Sequence, residues 1–216
     1  MKRILLPALL LAASTTFAGF ASEKARFGFD FRLGGIAYEN DDWKDSVGGF
    51  GDFGLDLWSA DGSFGFWLGC GFQGSTIKWD DGWGAVDTDI FAIPFGASLM
   101  VRLEFAPGVA LRLEGGARYV SMDVDDDDWD DHHHGYHHRN DAWDRYHYPD
   151  RYLDIDDTSL AVVTAQLEFN LDPVTLGLGG GYQFDLEKPE VTYDGKPIFE
   201  TDISGALFFA NLTLLF

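Results

Sequence analysis

The chain has 216 residues, 46% of them hydrophobic and 16% aromatic, with 26 glycines and a formal net charge of −21. That acidity excludes nucleic acid as a partner, because a phosphate backbone would be repelled. The single cysteine, Cys70, excludes an internal disulfide, and no stretch after residue 21 reaches the length of a membrane-spanning apolar helix.

Residues 1–21 read as a signal peptide. Lys2 and Arg3 form a positive start, and an apolar run from Ile4 to Ala13 is broken only by Pro7. Thr16-Phe17-Ala18 and Gly19-Phe20-Ala21 each put small residues at the −3 and −1 positions of a cleavage site. No cysteine follows the run, so a lipid anchor is not expected. Removing Lys2 and Arg3 leaves residues 22–216, one domain, with a net charge of −21 − 2 = −23.

From there the chain alternates apolar and polar or small residues, the period of a strand with two unlike faces. Strand one sets Phe27, Phe29, Phe31 and Leu33 against Arg26, Asp30 and Arg32. Strand two sets Phe53, Leu55 and Leu57 against Asp52, Gly54 and Asp56, and strand three sets Phe64, Phe66, Leu68, Cys70 and Phe72 against Gly65, Trp67, Gly69, Gly71 and Gln73. Strand four sets Phe91, Ile93, Phe95, Leu99, Val101 and Leu103 against Pro94, Gly96, Ser98, Arg102 and Glu104. Strand five opposes Val109, Leu111, Leu113, Ala117 and Tyr119 to Arg112, Glu114, Gly116 and Arg118. Strand six does the same with Ala161 to Phe169 around Thr164, Gln166 and Glu168, and strand seven with Val174 to Phe184 around Thr175, Gln183 and three glycines. The last strand, within 203–216, puts Ala206, Phe208, Ala210, Leu212, Leu214 and Phe216 on one face and Phe209, Asn211, Thr213 and Leu215 on the other.

Eight strands is an even number, as single-chain outer-membrane barrels have. A final strand with one greasy face leaves an open edge unless it closes on the first. Connection lengths alternate too. Ser59–Ser63, Ala106–Gly108 and Asn170–Pro173 are tight turns carrying Asp-Gly, Pro-Gly and Asp-Pro, whereas 39–47, 78–88, 122–157 and 187–202 are long and acidic. Short turns on the periplasmic side and long loops outside are the outer-membrane arrangement. The expected fold is all-β: an eight-stranded antiparallel transmembrane up-and-down β-barrel.

The polar face points inward on this reading. It carries Arg26, Arg32, Arg102, Arg112 and Arg118 with Asp30, Asp52, Asp56, Glu104, Glu114 and Glu168, while Lys24, Lys44, Lys78, Lys188 and Lys196 all fall in loops or before the first strand. Eight strands leave room only for side chains. Arginine's planar fork suits dense pairing with carboxylates. The expectation is a near-neutral ionic plug, with a narrow solute pore as the alternative. A soluble ligand-binding barrel would have the two faces exchanged.

In pattern, charge placement and terminal Phe216, residues 25–216 resemble the small eight-stranded outer-membrane barrels of the OmpA and OmpX kind. The resemblance implies a place in the bacterial outer membrane among lipid and lipopolysaccharide. It also implies recognition of the closing strand and Phe216 by the barrel-assembly machinery. No catalytic or ligand motif comes with it, and the peptidoglycan-binding domain of the OmpA kind is not part of it.

One stretch is chemically loud. His132, His133, His134, His137, His138 and His147 are all the histidines of the chain, and they lie in the 122–157 loop with thirteen aspartates and three arginines. Imidazole and carboxylate at that density can hold zinc, nickel or copper; the spacing matches no known metal motif, so a solvated acidic loop stands beside the metal reading. Asp41-Asp42-Trp43, Trp79-Asp80-Asp81 and Asp128-Trp129-Asp130-Asp131 repeat acid beside tryptophan at the outer rim. Tryptophan at headgroup level with acids in water accounts for them, and divalent cations bridging them to lipopolysaccharide phosphates is the sharper alternative. No strand carries a histidine to pair with Ser121, and Cys70 falls on the lipid face, so no enzyme is expected and no cofactor is required.

Overall fold

The computed structural model describes residues 26–39, 47–80, 85–125, 153–193 and 196–216. The expected signal peptide, 1–21, lies outside them, as do most of the 39–47 and 122–157 connections.

Eleven strands form among the described residues: β1 (Arg26–Tyr38), β2 (Val47–Trp58), β3 (Phe64–Asp80), β4 (Ala85–Ala106), β5 (Val109–Asp125), β6 (Leu153–Ile155), β7 (Thr158–Asn170), β8 (Val174–Asp185), β9 (Glu190–Tyr193), β10 (Lys196–Glu200) and β11 (Gly205–Leu215). Eight of them close an antiparallel barrel in the order β1-β11-β8-β7-β5-β4-β3-β2, and these are the eight that the alternation marks. Closure is continuous from Gly28↔Leu215 to Tyr38↔Gly205. The amide of Phe216 donates to the carbonyl of Phe27 at 2.8 Å, and its ring meets Phe29 edge-on with centroids 5.7 Å apart. Neither the first strand nor the last keeps an open edge.

The three tight turns sit together at the end of the barrel that holds Arg26 and Phe216. Gly62 and Gly108 take φ of 71° and 75°, the left-handed region that glycine enters without a Cβ clash. In the first turn Asp61 accepts from the Ser63 hydroxyl at 2.8 Å and its amide at 3.1 Å. The Ser59 hydroxyl, with those two donors, holds the Asp61 carboxyl down to about 2.

At the opposite end two connections are more ordered than the composition implies. The 78–88 segment is mostly strand, because pairing runs on from Thr76↔Asp89 to Asp80↔Ala85 and the Thr76 hydroxyl donates to Asp89 at 2.6 Å. β4 reaches 22 residues, about twice the length needed to cross a bilayer, so its hairpins stand beyond the hydrocarbon. The 187–202 segment is not a plain loop either. It folds as β9 and β10, which join β6 in a second sheet of order β10-β9-β6. Acidity hid this: Val191 alternates with Glu190 and Thr192, and only burial of Val191, at 0% exposure, rewards the strand.

The outward face is a belt of large apolar side chains. Leu33 is 67% exposed, Leu178 65% and Phe208 63%, and Phe29, Phe95 and Leu103 join them around the wall. Soluble proteins do not leave a continuous patch of that size in water, so this face is solvated by lipid tails.

The inward face has two zones. Toward the tight turns it is ionic. Toward the other end it is apolar: Ile36, Phe50, Ile90, Val120, Met122, Leu160, Val162, Leu207 and Phe209 form one cluster, which Ile155 of β6, Val191 of β9 and Ile203 complete from beyond the wall. The small sheet is thereby a cap whose side chains enter the barrel. Hydrogen bonds seat it: Gln183 Nε2 donates to the Ile203 carbonyl at 2.7 Å and the Ile203 amide to Asp185 at 2.6 Å. Asp157 accepts from the Met122 amide at 3.2 Å and from the Tyr119 hydroxyl. Residues 153–157 therefore belong to the folded unit and not to a dispensable loop. Ile155→Ala should lower stability by about 2–5 kcal/mol, the usual cost of emptying a core isoleucine site. Urea unfolding of the refolded barrel in micelles measures it, and an unchanged midpoint would mean that the cap is not part of the core.

Candidate functional site in the barrel lumen

An inward arginine on a narrow ring has one way to keep its charge, which is to meet carboxylates from other strands. β1 and β5 stand four places apart in the ring of eight, on opposite sides of the lumen. Arg32 of β1 reaches across it to Glu114 of β5 with two bonds, 3.1 and 2.7 Å, and turns Nε to Asp30 at 2.8 Å. Arg112 of β5 reaches back to Asp30 of β1 at 3.0 Å, to both oxygens of Asp56 on β2 at 2.9 and 3.2 Å, and to Glu114 at 3.2 Å. Arg118 of β5 clasps Asp52 of β2 at 3.2 and 2.7 Å. Asn211 and Thr213 of the closing strand add donors to Asp30 at 2.8 and 3.2 Å.

Two further residues of the expected set join at the edge. Arg102 Nε lies 2.8 Å from Glu168, although its N–H is not aimed along that line, so the contact is ionic more than a directed hydrogen bond. Glu168 also lies 3.7 Å from Arg112 and accepts from Gln166 at 2.8 Å. Glu104 and Arg26 stand apart from the cluster. Glu104 is exposed near the tight-turn mouth and accepts the Gly108 amide at 3.3 Å, because it sits too close to its own hairpin to reach the lumen. Arg26 is exposed in the same mouth.

Arginine pairing is half of the packing; flat aromatic contact is the other half. The Arg32 guanidinium lies 5.1 Å from the Trp67 ring and 5.6 Å from Phe209, Arg118 lies 5.4 Å from Trp67, and Arg112 lies 5.5 Å from Trp58. Each such contact over a desolvated ring adds to the field that keeps the cation charged. Glycine makes the room. A Cβ at Gly54 would run into the Trp67 indole, one at Gly179 would stand 2.6 Å from the Phe209 ring, and one at Gly96 2.7 Å from the Arg118 stem. Trp67 and Phe209 were legible as inward-facing residues, Trp58 at the end of its strand was not, and nothing in the spacing tied a given ring to a given arginine.

Of the other candidate residues, His132, His133, His134, His137, His138 and His147 lie outside the described residues, and among the described ones no group of three metal-ligating side chains gathers. Cys70 is half-buried, and Ser121 is half-buried near the end of β5.

No family model matches the sequence, and no curated protein matches it. Among solved structures the chain is similar to Neisserial surface protein A, at 12% identity and a TM-score of 0.53, covering 89% of this chain and 97% of that one. It is similar to the outer membrane protein OprG from Pseudomonas aeruginosa, at 9% identity and a TM-score of 0.52, covering 89% and 94%. A major outer membrane protein from Thermus thermophilus gives 13% identity, a TM-score of 0.55 and coverage of 89% and 99%. The chain has the fold of a small outer-membrane barrel. At these identities the likeness is one of fold alone.

Burying charge is costly, and removing one partner of a buried set costs about 3–5 kcal/mol because the others are left uncompensated. Arg112 touches Asp30, Asp56 and Glu114 at once, each fully buried or nearly so. Arg112→Ala should therefore destabilise the barrel by about that much, and more than Arg26→Ala at the exposed mouth. Equal unfolding midpoints for the two variants would show that the lumen is hydrated enough to solvate the orphaned acids.

Proposed function

We propose that this protein is an integral barrel of the bacterial outer membrane with no continuous water path, acting at its outer surface in a structural or binding role and not as an enzyme. The observation that carries this reading is the double filling of the lumen. Cross-lumen arginine–carboxylate pairs occupy the tight-turn half, and the apolar cluster with Ile155, Val191 and Ile203 occupies the other. A hydrated ion would have to displace a satisfied ionic network and then dewet an apolar section. The long acidic connections are what remains to meet partners. The lipid-facing belt supports contact with membrane lipid and lipopolysaccharide, and the closed β1–β11 seam ending in Phe216 supports recognition by the barrel-assembly machinery.

Planar-bilayer recording tests the sealed lumen. The parent should show little or no steady conductance, and a variant without Arg112 should show more. Large, stable currents from the parent would replace this reading with that of a narrow solute pore.

A second reading concerns the outer surface. All six histidines of the chain fall between 132 and 147 among aspartates, a composition that supports capture of zinc, nickel or copper. Imidazole binds metal only when neutral, so zinc affinity should fall steeply between pH 7.5 and 5.5, through the ordinary imidazole pKa of about 6.5. Replacing His132, His133, His134, His137 and His138 with Ala should abolish it while sparing carboxylate-only calcium binding. Calorimetry showing equal zinc affinity at both pH values, or none, removes the metal reading.

A further inference from the structure

The tight-turn mouth of the barrel encloses a cleft lined by Arg26, Asp56, Trp58, Arg102, Glu168 and Thr175. Its two acids are already committed. Both oxygens of Asp56 are taken by Arg112, at 2.9 and 3.2 Å, and Glu168 is held by Arg102 at 2.8 Å and Gln166 at 2.8 Å. Its donors are not. Arg26 makes no ion pair among the described residues, and a guanidinium nitrogen of it lies 4.0 Å from where a Cβ on Gly62 would stand, over the first tight turn. Thr175 is 3% exposed, yet its hydroxyl is buried without a hydrogen-bond partner. Such a buried hydroxyl is uncommon in a settled interior, since most polar atoms there are paired. Trp58, 5% exposed, and Leu215 supply an apolar wall beside these donors.

We propose that this cleft binds a small oxyanion, a carboxylate or phosphate group, gripped by the Arg26 guanidinium and the Thr175 hydroxyl. Two things select an anion over a cation. Asp56 is held by Arg112 and Glu168 by Arg102, so among the charged groups that line the cleft Arg26 is the one without an ion pair to a described residue. The orphan hydroxyl can turn its proton toward a ligand oxygen, and a planar guanidinium matches carboxylate and phosphate geometry with two parallel bonds. The cleft is made of inward-facing residues at the tight-turn end, which places the ligand on the side of the membrane opposite to the long acidic connections. A dissolved anion and the phosphate of a lipid headgroup both present this chemistry.

The test uses the full chain refolded in nonionic detergent, titrated with sodium phosphate or sodium acetate at constant sodium concentration, chloride being exchanged out. The readouts are the amide resonances of Gly62 and Thr175. Both anions should give saturable shifts. Arg26→Gln and Thr175→Val should each weaken them about tenfold, the loss expected for one charge-assisted hydrogen bond, with heat-modifiable gel migration unchanged. A parallel arm adds phosphatidylglycerol to the micelles. Saturation by the lipid but not by dissolved phosphate assigns the site to a headgroup, and the reverse assigns it to a soluble anion. Shifts that never saturate, that survive Arg26→Gln at full affinity, or that chloride produces as well as phosphate and acetate overturn the proposal.

Discussion

A ring of eight strands is too narrow to hydrate charges deep inside it, so an arginine buried there must find its counter-charge on the surrounding wall. That constraint organises the molecule. Arg32 and Arg112 exchange carboxylates between β1 and β5, which face each other, and Arg118 ties β5 to β2. These contacts connect strands far apart in the ladder order, where no backbone hydrogen bond can act. The ladder alone specifies neighbours. The spokes hold opposite sides of the wall to one another, and they also penalise register errors, because a slip of one residue would turn the charges into lipid.

Buried ion pairs are poor sources of net stability, since desolvation offsets most of their attraction. Their presence here makes more sense as a matter of specificity and sealing. Arg112 donates to three carboxylates and has Trp58 beside its guanidinium, so little of its hydrogen-bonding capacity is left for water. Arg32 stands where the ionic zone meets the apolar one. It bonds to Asp30 and Glu114 while its guanidinium contacts Trp67 and Phe209, the latter a member of the apolar cluster. The two zones are thus joined by a cation that satisfies its edges with oxygen and its faces with aromatic rings.

The cap couples this interior to the outer surface. Ile155, Val191 and Ile203 come from segments beyond the barrel wall, yet they pack with Leu160, Val162 and Leu207 from within it. Whatever acts on the outer connections therefore works on an element seated in the core. At the other end, the tight-turn mouth keeps an exposed arginine and an unpaired hydroxyl, so the two openings differ in chemistry as well as in shape.

The period-two alternation by itself determined the eight wall strands, their lipid and lumen faces, and the three tight turns. Those features are local, each following from side-chain parity or from Asp-Gly and Pro-Gly chemistry. The inward charge set was legible for the same reason, down to Asp52 and Arg118. Which acid meets which arginine was not, because partners such as Arg32 and Glu114 are 82 residues apart and are matched only by ring closure and strand stagger. Position along the barrel also decided that Glu104 turns to its own hairpin while Glu168, two strands away in the ring, joins the cluster. The apolar half of the lumen and the β6–β9–β10 cap escaped for a different reason. Their residues are few, short in run and set among aspartates, so composition reads them as solvated loop. Only the tertiary structure, by placing Ile155, Val191 and Ile203 over an open barrel end lined by Ile36, Phe50 and Val120, supplies the burial that makes those strands worth forming.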